Sequence, residues 1–292
     1  MTLSATDIIP EDWSRWSNSK PVPISPLNSG LTNRSFLLAS DPGRVVLRWN
    51  SPISAELDLN RSAEEQALRL ADSDGLCAPL VYCDPEYRYL VTRYIPGEPW
   101  NQNDSTALTK FARLLRAIHQ LPRIEATLDI EKKIAHYWES ISPRSEFQTI
   151  LQSLRHAVQP HIEKANTLNP GNTLCHNDLL TENLICGDDG RLYAIDWEYA
   201  ATGDPFYDLA VISDGHALTQ DQQRQLLSEY LQRPASQSDC ARLAHWQLIY
   251  SYLTLLWYAV QHSSGALRTP QIEQEIRSRS RTLTAQLAGA GT

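Results

Sequence analysis

Hydrophobic residues in the first third of the chain come in short runs separated by turn-forming residues. Over residues 23–49 the pattern predicts β-structure: an Asn28-Ser29-Gly30 turn, the run Ser35-Phe36-Leu37-Leu38, an Asp41-Pro42-Gly43 turn and the run Val45-Val46-Leu47-Arg48-Trp49, read together as a hairpin. Residues 54–71 carry Leu57, Ala63, Ala67, Leu68 and Leu70 at helical spacing, and Asp72-Ser73-Asp74-Gly75 closes that helix. Leu80-Val81-Tyr82 and residues 89–95 predict two more strands, ended by Pro96-Gly97. From Ser105 onward the period is helical: Leu108, Phe111, Leu114, Leu115 and Ile118 form one apolar stripe, residues 130–138 a second and residues 150–162 a third. Within this part, Leu184-Ile185 and Leu192-Tyr193-Ala194-Ile195 flank the turn Gly187-Asp188-Asp189-Gly190, a hairpin set between helices. The small, polar residues after Arg281 predict a fraying tail. The expected architecture is α+β in two lobes: residues 1–97 as a small antiparallel sheet with one helix, residues 98–292 as a larger, mainly helical lobe.

Composition narrows the function classes. A chain of 292 residues with 42% hydrophobic and 21% charged residues is globular rather than disordered or fibrous. The formal charge of -8 argues against a nucleic-acid partner, which calls for clustered Lys and Arg, and is more congenial to a cationic small molecule. Five cysteines without a C-x-x-C pair fit neither a disulfide framework nor a zinc site. The opening residues have no apolar core expected of a secretory signal, and residues 248–260 are too short and too interrupted by Ser and Thr for a membrane span, so a cytoplasmic location without membrane association is expected.

The chemistry concentrates in one stretch. Cys175-His176-Asn177-Asp178-Leu179-Leu180-Thr181-Glu182-Asn183 contains H-x-D-x-x-x-x-N, and beyond the hairpin comes Asp196 in Ile195-Asp196-Trp197-Glu198-Tyr199. That order matches kinase catalytic loops, in which the first Asp accepts the proton of the attacking hydroxyl and the Asn and second Asp hold metal ions on the phosphates. Taken singly, each of these residues fits an ordinary turn cap. Taken together at these offsets they point to phosphoryl transfer. His176 reads as a loop anchor, since Asp178 already fills the position of the base.

These motifs resemble the aminoglycoside phosphotransferase/choline kinase superfamily, and His-Asn-Asp with its later Asn and Asp-Trp-Glu-Tyr look most like bacterial choline and thiamine kinases. Ile118-His119-Gln120-Leu121-Pro122-Arg123, followed by Tyr137-Trp138, leans toward thiamine kinase. The resemblance implies a protein-kinase-like fold, ATP as co-substrate and one or two Mg²⁺ ions, with Asp178 as base and Asn183 and Asp196 as metal ligands. It implies a phosphate-covering turn with Ser29, Thr32 and Asn33, Arg48 on the phosphates, Glu64 (or the adjacent Glu65) orienting Arg48, and Tyr94 and Ile95 at the adenine edge. Asp208 would bond the catalytic-loop backbone as a support, with His176. On the acceptor side Glu198, Trp246, Tyr250 and Trp257 would form an aromatic, acidic pocket suited to a cationic alcohol such as thiamine or choline. An aminoglycoside acceptor and a catalytically silent metabolite-binding protein are the alternatives. A protein acceptor is least expected, because Thr202-Gly203-Asp204-Pro205 follows Asp196 too closely for an activation loop.

Overall fold

The computed structural model describes residues 8–27, 33–51, 53–101, 104 and 106–290. Strands β1 (Val22–Leu27), β2 (Arg34–Ser40), β3 (Gly43–Trp49), β4 (Leu80–Cys83) and β5 (Tyr89–Arg93) form an antiparallel sheet in the order β1-β2-β3-β5-β4. The expected hairpin is β2–β3, in register from Arg34↔Trp49 to Ser40↔Gly43. Its turn closes through Gly43 at φ 88°, a left-handed conformation that costs glycine little. The sheet has a further edge strand, β1. Its Pro23 and Pro26 are tolerated there because an edge leaves N–H positions outside the ladder.

One face of this sheet is covered by the chain's own beginning. Ile9 and Trp16 pack on Phe36, Leu38, Val45, Leu47, Tyr89 and Val91, and the Tyr89 hydroxyl donates to Asp12 Oδ1 at 2.5 Å. The other face looks toward helix α1 (Arg61–Ser73). This helix starts later than residues 54–71 suggest: Asn60 caps it, its side chain accepting from Ala63 N at 3.0 Å, and the preceding residues fold into turns. Leu57, whose spacing looked helical, enters the core from one of those turns.

The helical part comprises α2 (Ala107–Gln120), α3 (Ile130–Ser140), α4 (Gln148–Leu168), α5 (Pro205–Gly215), α6 (Gln220–Leu231), α7 (Gln237–Ser264) and α8 (Pro270–Ala290). Long, buried α7 is its axis and packs against α3, α4, α5 and α8. The expected fraying tail is corrected: α8 runs to Ala290, anchored by fully buried Ile276 and Leu283. Among the described residues no helix is long and apolar enough to cross a membrane.

Between helices sit β7 (Thr173–Cys175), β8 (Leu184–Gly187), β9 (Leu192–Ala194) and β10 (Ala201–Gly203). The predicted hairpin is β8–β9. Strand β6 (Gly97–Pro99) joins it, so the chain leaving the first sheet pairs at once with the segment that carries the motif. Gly97 permits that approach, since a Cβ there would lie 2.2 Å from the Cys186 carbonyl oxygen.

Candidate active site

Asp178 and Asn183 lie on the loop between β7 and β8. Asn177 takes φ 65°, a left-handed conformation that asparagine tolerates, and a short 3₁₀ turn, Thr181–Asn183, closes the loop. Asn183 Nδ2 donates to both the carbonyl and Oδ2 of Asp178 at 2.8 Å, so one amide orients the carboxylate. Oδ1 of each residue is left without a protein donor among the described residues.

The loop is anchored from behind. Fully buried Asp208, in the first turn of α5, accepts from the backbone N–H of Asn177 at 2.6 Å and of His176 at 3.0 Å. It takes another hydrogen bond from His119 Nε2 at 3.0 Å, whose Nδ1 accepts from the Tyr230 hydroxyl at 2.8 Å. His176 Nε2 donates to the Ile195 carbonyl at 3.0 Å, tying the loop to the residue before Asp196. Burial pulls the His176 imidazole down to about 4, so it stays neutral near pH 7.

Asp196 follows β9 at φ 61° and faces β3 of the first sheet. Arg48 Nη1 reaches its Oδ1 at 2.5 Å, and Arg48 Nη2 reaches Glu64 Oε1 at 2.6 Å. Glu64 Oε2 pairs with Arg61 at 2.8 Å, and Arg61 pairs with Glu198 at 2.9 Å. Asp196, Arg48, Glu64, Arg61 and Glu198 thus form a line of alternating charge that leaves the motif, crosses β3 and α1, and returns two residues beyond its start. Asn33 completes it, donating to Glu198 Oε2 at 2.7 Å and accepting from Arg61 Nη2 at 3.3 Å. Three carboxylates face two guanidiniums, and the surplus negative charge registers in the acids. Burial, then Glu198, pushes Asp196 up to about 7 against the pull of Arg48. Burial, then Asp196, Glu198 and Glu182, raises Asp178 well above the ordinary carboxylate range.

Two cavities meet at this line. The smaller, about 130 Å³, lies under the first sheet and is lined by Val46, Leu68, Ala78, Tyr94, Ile95 and Ile185 with Arg48 and Glu64. The larger, about 390 Å³, lies between the β7–β8 loop, α3 and α7. Asn183 and Asp196 are the described residues that line both, and Asp178 lines the larger one.

The expected residues therefore converge, with exceptions. Tyr94 and Ile95 line the small cavity, and Glu198, Tyr250 and Trp257 the large one. Glu64 touches Arg48, whereas Glu65 points away to Arg69 and Tyr87. Ser29 and Thr32 lie outside the described residues. Trp246 lines neither cavity: it is buried in the core, edge-on to Tyr207 at 5.7 Å between ring centroids. The sequence reading passed over Arg61, visible only as the start of Arg61-x-x-Glu64. It also gave no site role to Lys133, Tyr137, Tyr199 and Tyr207, which line the larger cavity with Tyr258, an aromatic of the same late helix as Tyr250 and Trp257. Of these, Tyr199 carried a signal, as the last residue of Asp-Trp-Glu-Tyr.

The chain is similar to known proteins in sequence and in fold. Residues 23–246 match the phosphotransferase enzyme family. A thiamine kinase of Escherichia coli O1:K1 is 29% identical over 218 residues, covering 72% of each chain. Protein LicA of Haemophilus influenzae is 26% identical over 273 residues, covering 88% of this chain and 78% of its own. The solved structure of choline kinase LicA from Streptococcus pneumoniae superposes with a TM-score of 0.78 at 25% identity, covering 91% of this chain and 94% of its own. The chain therefore belongs to the phosphotransferase enzyme family and is a small-molecule kinase of the aminoglycoside phosphotransferase/choline kinase superfamily.

Proposed function

We propose that this kinase moves the γ-phosphoryl group of ATP to the hydroxyl of a small cationic alcohol, thiamine or choline. The observation that carries this reading is the junction of the two cavities at Asn183 and Asp196, with Asp178 beside them. Phosphoryl transfer asks a protein mainly for positioning and charge neutralisation, and both are available at such a junction.

The small, largely apolar cavity suits an adenine ring, and Arg48 at its floor suits phosphate oxygens. Asn183 commits its amide nitrogen to Asp178 and keeps an oxygen for other partners, and Asp196 adds carboxylate oxygens; this donor set suits a hard cation such as Mg²⁺. Bound there, Mg²⁺ would neutralise charge on the phosphates. Asp178 takes the acceptor's hydroxyl proton as the acceptor's oxygen bonds to the γ-phosphorus and the bond from that phosphorus to the β,γ-bridging oxygen breaks, releasing ADP. Burial and the neighbouring acids raise the affinity of Asp178 for a proton, and a cationic acceptor favours the ionised form that a base requires.

The larger cavity supports a cationic acceptor. Tyr207, Tyr250, Trp257 and Tyr258 offer aromatic faces and edges, and Asp178, Glu182 and Glu198 supply negative charge. The test is ADP release by the purified chain with Mg-ATP and, separately, thiamine, choline, ethanolamine and kanamycin. Turnover with thiamine or choline is expected; turnover with kanamycin alone would replace the reading with aminoglycoside phosphorylation.

A further inference from the structure

The larger cavity already contains a cation. Lys133, on α3, lines its wall with a side chain only 10% exposed. The ammonium donates to the carbonyls of Leu57 at 2.9 Å and Asp58 at 3.1 Å and lies 3.1 Å from Asp58 Oδ2, so its three N–H groups have three protein acceptors. The same ammonium stands 5.1 Å from the Tyr137 ring centroid and 5.5 Å from that of Tyr199, within cation–π range of both. His136, one helical turn on, donates from Nε2 to the Ala55 carbonyl at 2.7 Å, so α3 clasps the turn before α1 at two points.

We propose that Lys133 is a specificity-determining residue of the acceptor site. It occupies the Tyr137 and Tyr199 faces as a resident cation and neutralises Asp58, so the cavity takes one further positive charge and disfavours acceptors that carry two. The inference deepens the reading of the acceptor as a cationic alcohol and rests on it.

Lys133 changes what the cavity offers to a second charge. Around Lys133 the nearest carboxylate, Asp58, is paired, and a second ligand charge would meet the ammonium at close range in a partly dehydrated site. Tyr207 and Tyr250 line the same cavity together with Asp178. Trp257 is held by its Nε1–H donating to the Tyr199 hydroxyl at 2.9 Å, with Tyr258 edge-on at 5.1 Å between centroids. A single cationic head is drawn to these groups, and a second charge on the acceptor would share the cavity with the Lys133 ammonium.

The test compares the full chain with Lys133→Met, Lys133→Gln and Lys133→Arg. Gln retains donors for the turn carbonyls without the charge, and serves if the Met variant does not fold. Calorimetry measures affinity for the monocations choline and thiamine and for diaminopropanol, a dication at pH 7; ADP release gives kcat/KM for each. The neutral variants are expected to raise the dication-to-monocation ratio about three- to tenfold, as loss of one nearby like charge implies, while the Arg variant keeps the parental ratio. An unchanged ratio in the neutral variants, with monocation binding intact in the parent, would overturn the inference alone and leave Lys133 as an anchor of the turn. A parent chain that binds none of the cations would overturn both the inference and the acceptor reading.

Discussion

Arg48 and Asp196, 148 residues apart in the chain, meet at 2.5 Å across the cleft. The contact joins the sheet that lines the smaller cavity to the segment just after the β8–β9 hairpin. It also places a guanidinium against the carboxylate proposed to hold metal, so Asp196 is partly compensated before any nucleotide arrives. The remaining pairs along the line, through Glu64 and Arg61 to Glu198, are buried more deeply than this one.

That depth makes Arg61 a structural keystone. Arg61→Met strands Glu64 and Glu198 in a buried site with less than their full compensation, and such a loss costs about 3–5 kcal/mol. Urea denaturation of the variant measures it. A change below about 1 kcal/mol would mean that solvent screens these pairs as it does surface ones.

Asp196→Ala removes a proposed metal ligand while leaving the apolar slot intact. The parent chain in saturating Mg-ATP should melt higher by about 5–10 °C, corresponding to roughly 2–3 kcal/mol of linked binding. The variant should show little of that shift. A full shift in the variant would remove Asp196 from the nucleotide site.

Trp246 and Trp257 share one helix and one angular face but have different fates. Trp257→Ala is expected to raise the acceptor KM about 5- to 30-fold, the loss of roughly 1–2 kcal/mol of cation–π contact, with the KM for ATP unchanged. Trp246→Ala should instead cost about 3–5 kcal/mol of stability and leave acceptor preference alone. Steady-state kinetics and melting curves of the two variants separate these outcomes; an acceptor defect in the Trp246 variant at normal stability would contradict the assignment.

Asp214 gives a pH dependence away from the catalytic loop. It lies in the last turn of α5, where a helix disfavours negative charge, and accepts from Gln247 at 2.7 Å and Ser251 at 3.4 Å. Burial pushes its carboxyl up to about 6 from an ordinary value of 3.8. Folding therefore binds a proton between those limits, and stability contributed by the protonated form is lost as pH rises through that window. Asp214→Asn should be more stable than the parent by about 1–3 kcal/mol at pH 7, with the difference shrinking toward pH 4. An equal difference at both pH values would show that ionisation is not its source.

The β7–β8 loop and the hairpin beyond it were legible because their information is local: Asp178, Asn183 and Asp196 are separated by one loop and one hairpin, and each element announces its turns. The start of α1 was not. Leu57 continues the helical apolar spacing, yet it reaches the core from a turn, and Asn60 caps the helix after it. Angular spacing also could not separate Trp246 from Trp257. Eleven residues along α7 bring the chain back to nearly the same face but about 16 Å further along the axis, far enough to pass from core to cavity wall. The partners of Arg61 and Lys133 were out of reach for another reason. Each depends on a contact across 75 or more residues, to Glu198 and to the Leu57–Asp58 turn, which spacing alone does not reveal.

The central claim is that Asp178 takes the proton from the acceptor hydroxyl at the junction of the two cavities. Asp178→Asn preserves the shape and an acceptor oxygen but removes the base. The most direct measurement is its kcat for ADP release with the preferred alcohol, alongside its affinity for Mg-ATP. A fall in kcat of about 10²–10⁴-fold with nucleotide affinity within a few-fold of the parent is the predicted result. Undiminished turnover in a folded variant would contradict the account.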